Sequence, residues 1–233
     1  MKGIKEQFAR VFENPDRVNF RNLLKNLTGE YDELEFKEKE IEYPKLAKHI
    51  LAMANTNGGI ICYGVCETDN NLKPIGMTQI DDITDMKKKL NKYLPYELNY
   101  EIYTISYDDN VEWKELKNKS FILIIIEFEP EYIPFLPLNG SKYFEKTDIF
   151  CRKNSSSTKC EYDDLMNILN NRIETNVITT LADRDLAELH ALHHYARLFP
   201  TIPIYKKLYK EKIGIIRKKM KWMQLFKIIL KFN

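Results

Sequence analysis

The chain has 233 residues, of which 44% are hydrophobic and 30% are charged. This composition excludes an intrinsically disordered chain and allows one substantial hydrophobic core. The formal net charge of +2 does not by itself indicate a nucleic-acid protein, but the charge is unevenly distributed. Between Tyr205 and Asn233, nine Lys and one Arg stand against one Glu, so the C-terminal segment is basic and the remainder is acidic.

The first residues contain no apolar run of the kind that opens a signal peptide. The longest apolar run, Phe121 to Ile126, is far shorter than the roughly 20 residues that cross a bilayer. Four Cys in a chain of this length do not predict a disulfide framework. We therefore expect a soluble protein of the cytoplasm.

The elements begin with a helical region up to about Leu27, interrupted by a turn at Asn14-Pro15-Asp16. Residues Leu34 to Lys37 then alternate between apolar and charged, as in a half-buried strand. In that strand, the two apolar side chains should face the core and the charged ones should face away from it.

The central part of the chain alternates helices and strands. A helix is predicted from Pro44 to Asn55, since Pro is tolerated in a first turn, and Gly58-Gly59 predicts the turn that follows it. The further predictions are a buried strand at 60–65, a helix from Asp81 to Tyr93 with an Asp cap, and strands at 98–107 and 121–128.

A hairpin is predicted between Lys142–Phe144 and Ile149–Arg152, followed by a helix from Glu161 to Ile173. A further helical stretch, Leu181 to Leu198, precedes the basic segment. Because helices separate only some of the strands, the order favours a mixed α/β (α+β) domain with a mixed sheet and flanking helices over a doubly wound sheet.

Five spaced motifs carry a resemblance to a known family. They are Glu30, Glu35-Phe36-Lys37, Ala52-Met53-Ala54-Asn55-Thr56-Asn57-Gly58-Gly59, Gly64-Val65-Cys66-Glu67, and Phe150-Cys151-Arg152 followed by Ser155-Ser156-Ser157-Thr158. In this order they resemble the Schlafen core, or AlbA-like putative DNA-binding, domain. The resemblance covers roughly residues 28–174 and implies a Schlafen AlbA-like domain there. The residue patterns on either side predict an N-terminal helical segment at 1–27 and a helical, basic extension at 175–233.

The resemblance also implies a catalytic site. In ribonuclease members of the family, three carboxylates form the cleavage site, and the matching residues are Glu30, Glu35 and Glu67. The third is usually Asp in the animal nucleases and is Glu here. Carboxylates that hold Mg²⁺ or Mn²⁺ suit phosphodiester hydrolysis, because the ion neutralises charge and activates water. The alternatives are a solvated acidic edge and, as a rival ligand, Glu33.

Several residues are candidate nucleic-acid contacts, each with a structural alternative. The Gly pair could let backbone N–H groups approach a phosphate, or could merely end a helix. An Arg-Lys pair beside four hydroxyl side chains could clamp a phosphate backbone or form surface ion pairs. The candidates are Lys37, Asn55, Gly58, Gly59, Arg152 and Lys153.

Other cofactors find no support in the sequence. The Cys spacing lacks C-x-x-C, and no His lies close to it, so we expect no zinc. His190 and His194 have i, i+4 spacing without the glutamate of H-E-x-x-H, which favours surface histidines. No G-x-x-x-x-G-K-[ST] sequence occurs, so we expect no ATP hydrolysis of the P-loop kind.

We therefore predict a metal-dependent endoribonuclease acting on structured RNA such as tRNA or rRNA, with RNA favoured over DNA as partner. The alternative is a non-catalytic DNA- or RNA-binding regulatory module. Since the motif set occurs once, whereas the animal nucleases use two related lobes, a homodimer is our hypothesis. For the basic tail, docking on the domain or contact with nucleic acid is favoured over contact with a membrane.

Overall fold

The structure is a computed structural model that describes residues 2–26, 32–68 and 71–175. The chain divides into two compact units, Met1–Arg172 and Ile173–Asn233. Glu30, the 181–198 stretch and the basic segment lie outside the described residues. Within the described ranges, no helix combines the length and apolar character that crossing a bilayer requires.

The described helices flank a central sheet. Their ends follow local sequence signals: residues 14–16 separate the first two helices, and Pro44 lies in the first turn of the third. Asp82 caps the fourth, where its Oδ1 accepts hydrogen bonds from the backbone N–H groups of Thr84 and Asp85 at 2.8 and 3.2 Å. The helices are α1 (Lys2–Glu13), α2 (Arg17–Asn26), α3 (Tyr43–Ala54), α4 (Ile83–Leu90) and α5 (162–175), with a 3₁₀ turn at Lys114–Leu116.

The sheet has four strands in the order β1-β2-β6-β5. The first pair is parallel and the other two pairs are antiparallel. Two separate hairpins, β3–β4 and β7–β8, accompany it. The strands are β1 (Leu34–Lys37), β2 (Gly59–Tyr63), β3 (Val65–Thr68), β4 (Asn71–Pro74), β5 (Tyr100–Ser106), β6 (Ser120–Ile126), β7 (Phe150–Lys153) and β8 (Ser156–Lys159).

Both faces of the sheet are covered by buried apolar side chains. On one face, α1 and α2 contribute Val11, Phe20 and Leu23 to a cluster that includes Leu34 of β1. On the other face, α3 and α4 pack against a larger cluster that also includes Phe150 of β7. The predicted mixed α/β (α+β) fold class is thus confirmed.

The predicted hairpin between Lys142–Phe144 and Ile149–Arg152 is wrong. β7 pairs instead with β8, in a register that places Arg152 opposite Ser157. The two turn residues, Asn154 and Ser155, have positive φ values of 50° and 58°, which suits a tight two-residue hairpin turn. The Ser/Thr-rich stretch is therefore a strand that turns back on β7.

Candidate functional site

The side chains of β1 point alternately to the two covered faces of the sheet. Leu34 joins the apolar cluster under α1 and α2. The next residue, Glu35, is paired with Ile61 of β2, and Ile61 belongs to the opposite cluster under α3. Paired residues of adjacent strands share a face, so Glu35 and Lys37 point toward α3 and the β7–β8 hairpin. The charged face of β1, predicted to face away from the core, is therefore covered as well.

Glu35 is the centre of this covered face, with only 9% of its surface exposed. Its Oε2 accepts a hydrogen bond from Nη1 of Arg152 at 2.5 Å. Its Oε1 accepts one from Nζ of Lys37. Burial alone would raise the pKa of Glu35, but the Lys37 hydrogen bond and the neighbouring positive charges outweigh it and lower the pKa. The carboxyl group is therefore ionised at neutral pH.

The two cations that bind Glu35 differ in their access to solvent. The Arg152 side chain is 1% exposed, whereas that of Lys37 is 28% exposed. Arg152 is also anchored by Nε, which donates to the backbone O of Asp32 at 3.0 Å, and by Nη1, which donates to Oγ of Ser157 at 3.2 Å. Arg152 is thus a fixed partner of Glu35, and Lys37 is the partner that can move into solvent.

A histidine and a serine complete the polar network. Ser157 of β8 shares a hydrogen bond of 2.9 Å with Nδ1 of His49, which lies on α3. Burial lowers the pKa of His49 to about 4, and the nearby Lys37 and Arg152 act in the same direction, while Glu35 opposes them. His49 is therefore neutral at physiological pH. The network joins three elements, β1, α3 and the β7–β8 hairpin, at one point.

Asn55 fixes the end of α3 beside this network. It is fully buried, and its Nδ2 donates to the backbone O atoms of Phe135 and Phe150 at 2.9 and 3.0 Å. Its Oδ1 accepts from the backbone N–H of Phe135 at 2.6 Å. Every one of these bonds is internal. They give Asn55 a structural role, and its contact with nucleic acid stays a prediction.

Glycine is required at positions 58 and 59 because the backbone of neighbouring segments lies too close for a Cβ atom. Gly58 has φ of +72°, and a Cβ there would lie 2.6 Å from the backbone O of Ile126. A Cβ on Gly59 would lie 2.6 Å from the backbone O of Glu33. The pair allows β2 to enter the sheet between its neighbours, so packing accounts for both glycines and their phosphate contact stays a prediction.

Three predicted site residues remain to be placed, namely Glu30, Glu67 and Lys153. Glu30 lies outside the described residues. Glu67 is half-buried on β3, opposite Leu72 of β4. Lys153 is half-exposed and lies 3.5 Å from Glu161 and 3.6 Å from Asp164. In the part of the chain that the structure describes, no three His, Cys, Asp or Glu side chains converge as a metal site.

His49 and Asp32 are members of the network that the sequence analysis missed. A signal for His49 was present, because it lies three residues after Leu46 and four before Met53, on the inward stripe of α3. Asp32 accepts from the N–H of Ser155 at 2.6 Å and so holds the hairpin turn against β1. No sequence pattern links residues this far apart along the chain.

The fold and the network together define an α+β domain with a buried, ionised carboxylate held between two cations. A family model described as Schlafen, AlbA_2 matches residues 30–161, more than half of the chain. The protein belongs to the Schlafen AlbA_2 family, and membership suggests a function related to nucleic acid. The network lies within the matched residues.

No curated protein matches the chain. Among solved structures, the DIP2311 protein of Corynebacterium diphtheriae aligns with a TM-score of 0.41 and 15% identity, covering 68% of this chain. The aligned part is 32% of the DIP2311 chain.

Proposed function

We propose that this protein is a divalent-cation-dependent endoribonuclease that acts on structured RNA. The observation that carries the proposal is the ionised, buried Glu35 carboxylate in the Glu-Phe-Lys sequence of β1, beside a lysine that reaches solvent. The family's link to nucleic acid supports it. A negative charge retained inside a protein is costly and is therefore expected where it serves a purpose.

The chemistry of the side chains fits a divalent cation. Carboxylate oxygens are the ligands that Mg²⁺ and Mn²⁺ prefer, and Glu35 and Glu67, with Glu30, would hold such an ion. When bound, the ion would supply charge neutralisation and a more acidic water. Because Arg152 is anchored and Lys37 is not, Oε1 of Glu35 is the oxygen that becomes available when Lys37 turns toward solvent. Lys37 would then contact an RNA phosphate.

A specific observation favours a second candidate, a non-catalytic nucleic-acid-binding module. Both oxygens of Glu35 already accept hydrogen bonds from cations. In this alternative, the carboxylate orients Lys37 and Arg152, and RNA is bound by the exposed lysines without cleavage.

Incubation of tRNA with the protein and Mn²⁺ tests the proposal. The nuclease predicts cleavage by the parent chain and its loss in Glu35→Gln, with RNA affinity retained. The matched control is Glu33→Gln, the neighbouring acid that was the rival ligand. Circular dichroism establishes that each variant is folded. RNA binding without any Mn²⁺- or Mg²⁺-dependent product would contradict the nuclease and support the binding module.

Metal binding can be measured separately from activity. If Lys37 occupies the position of the cation at Oε1, Lys37→Gln should bind Mn²⁺ more tightly than the parent chain does, because a competing positive charge is gone. Titration followed by electron paramagnetic resonance measures this affinity. Weaker or unchanged Mn²⁺ binding in Lys37→Gln would show that Lys37 and the metal do not compete.

A further inference from the structure

The outer edge of β5 is a second feature of the described fold. β5 is the last strand of the sheet, it has seven residues, and it pairs with β6 along its whole length. In the described part of the chain, no strand lies along its other edge. Such an edge presents a row of backbone groups that can pair with another chain.

The backbone groups that point outward can be identified from the ladder. The N–H of Tyr107 donates to the O of Lys119, and the N–H of Glu127 donates to the O of Asn99. In an antiparallel pair, hydrogen-bonded and non-hydrogen-bonded residues alternate. Odd-numbered residues of β5 therefore bond to β6, and the N–H and C=O groups of residues 100, 102, 104 and 106 point to the outer edge.

This edge lacks the features that usually prevent edge-to-edge pairing. Natural edge strands carry lysines or prolines, are very short, or are bulged. β5 has no Lys, Arg or Pro, and its register with β6 is unbroken. Its only charged side chain, Glu101, lies 2.9 Å from Lys87 of α4. The opposite edge strand, β1, has only four residues and contains Lys37.

We propose that β5 pairs with β5 of a second copy of this chain, antiparallel about a two-fold axis at Tyr103. This register pairs residue 102 with 104 and residue 100 with 106, so outward-pointing backbone groups meet each other. Glu101 is opposite Ile105 of the other copy, so no like charges face each other across the pair. The sheet would continue through the dimer as eight strands. The proposal is independent of the nuclease activity.

The inferred two-fold axis makes a sharp prediction for cross-linking. Two Tyr103 residues would form a non-hydrogen-bonded pair with Cα atoms about 4.5 Å apart, within reach of a disulfide. Under oxidised glutathione, the Tyr103→Cys variant should therefore form a covalent dimer. The controls are the parent chain, which has four free cysteines, and Tyr96→Cys, at a residue that is 98% exposed and lies outside β5. Equal cross-linking of the two variants would overturn the proposal.

Sedimentation of the full chain gives a second test without oxidation. The parent protein should be a dimer, and Thr104→Pro should have half its mass, because proline removes an outward N–H and leaves the bonds to β6 intact. Thr104→Val keeps the N–H and should remain dimeric. A parent chain that stays monomeric over a wide range of concentration, or a Thr104→Pro variant that stays dimeric while folded, would overturn the proposal.

Discussion

Both faces of β1 are covered, one by apolar side chains and the other by charged and polar side chains. Leu34 packs among apolar side chains from α1 and α2. One residue later, Glu35 lies among Arg152, Lys37 and the His49–Ser157 pair. An apolar side chain stabilises the fold by burial alone and needs no particular partner. A buried charge is tolerated only when it is paired and hydrogen-bonded. The contrast separates the part of β1 that is buried by apolar packing from the part that is buried with its charges paired.

The largest effect should come from removing Arg152. Arg152→Met leaves Glu35 without its buried partner, and removal of one member of a buried ion pair costs about 3–5 kcal/mol of unfolding free energy. Urea denaturation measures the loss. The double variant Glu35→Leu/Arg152→Met removes both charges and should recover much of the stability. If the double variant is as unstable as the single one, the cost arises from lost packing and not from an unpaired carboxylate.

A slightly smaller effect is expected on the apolar face. Leu34 is 4% exposed, and Leu34→Ala should cost about 3–4 kcal/mol through lost burial and the cavity left behind. Under conditions where the variant remains folded, its RNA affinity should equal that of the parent chain. A loss of RNA affinity in folded Leu34→Ala would mean that the two faces are not functionally separate.

The sequence predicts the surroundings of a β1 residue well when the signal is local, and poorly when the contacting residue is far away along the chain. The alternation in β1 correctly places Leu34 against a core, because that signal is local. It does not reveal that the Glu35 face is covered too, since the covering residue Arg152 is 117 positions away. The family motifs identify Glu35 and Arg152 as notable residues without showing that they touch.

The hairpin error has a similar origin. Ser156 to Lys159 has few apolar residues, so periodicity gives no strand signal, and the register is set by the turn at Asn154-Ser155. An Asn in a tight turn was the available clue. Helix starts were easier to predict to within a few residues, because a proline or a capping aspartate acts locally. Pro44 lies in the first turn of α3, and the cap of α4 is Asp82, one residue after the predicted start at Asp81.

The pH dependence of stability should include a contribution from His49 on the polar face. The folded pKa of His49, about 4, is below its ordinary value of 6.5, so between these values the unfolded chain binds more protons. Stability should therefore fall as the pH is lowered, by about 2 kcal/mol from pH 7 to pH 5. Glu35, with its lowered pKa, loses its contribution only at more acidic pH.

The His49→Gln variant isolates this contribution, because glutamine does not titrate. Between pH 7 and pH 5, its unfolding free energy should depend on pH less steeply than that of the parent chain, and denaturation at several pH values measures both slopes. Leu34→Ala is the matched control and should keep the parent slope. Identical slopes for His49→Gln and the parent would show that His49 is already accessible to protons in the folded state.

The smallest effect concerns Lys153, which projects from β7 toward Glu161 and Asp164. RNA binding that uses this lysine should weaken in Lys153→Gln, and the slope of log affinity against log salt should decrease by about 1, because one fewer counterion is released. Lys117→Gln is the matched control, since Lys117 is similarly exposed and lies 3.1 Å from Asp109, next to the 3₁₀ turn. Equal changes in the two variants would mean that RNA binds exposed lysines in general. The RNA-binding site could then not be assigned to either face of β1.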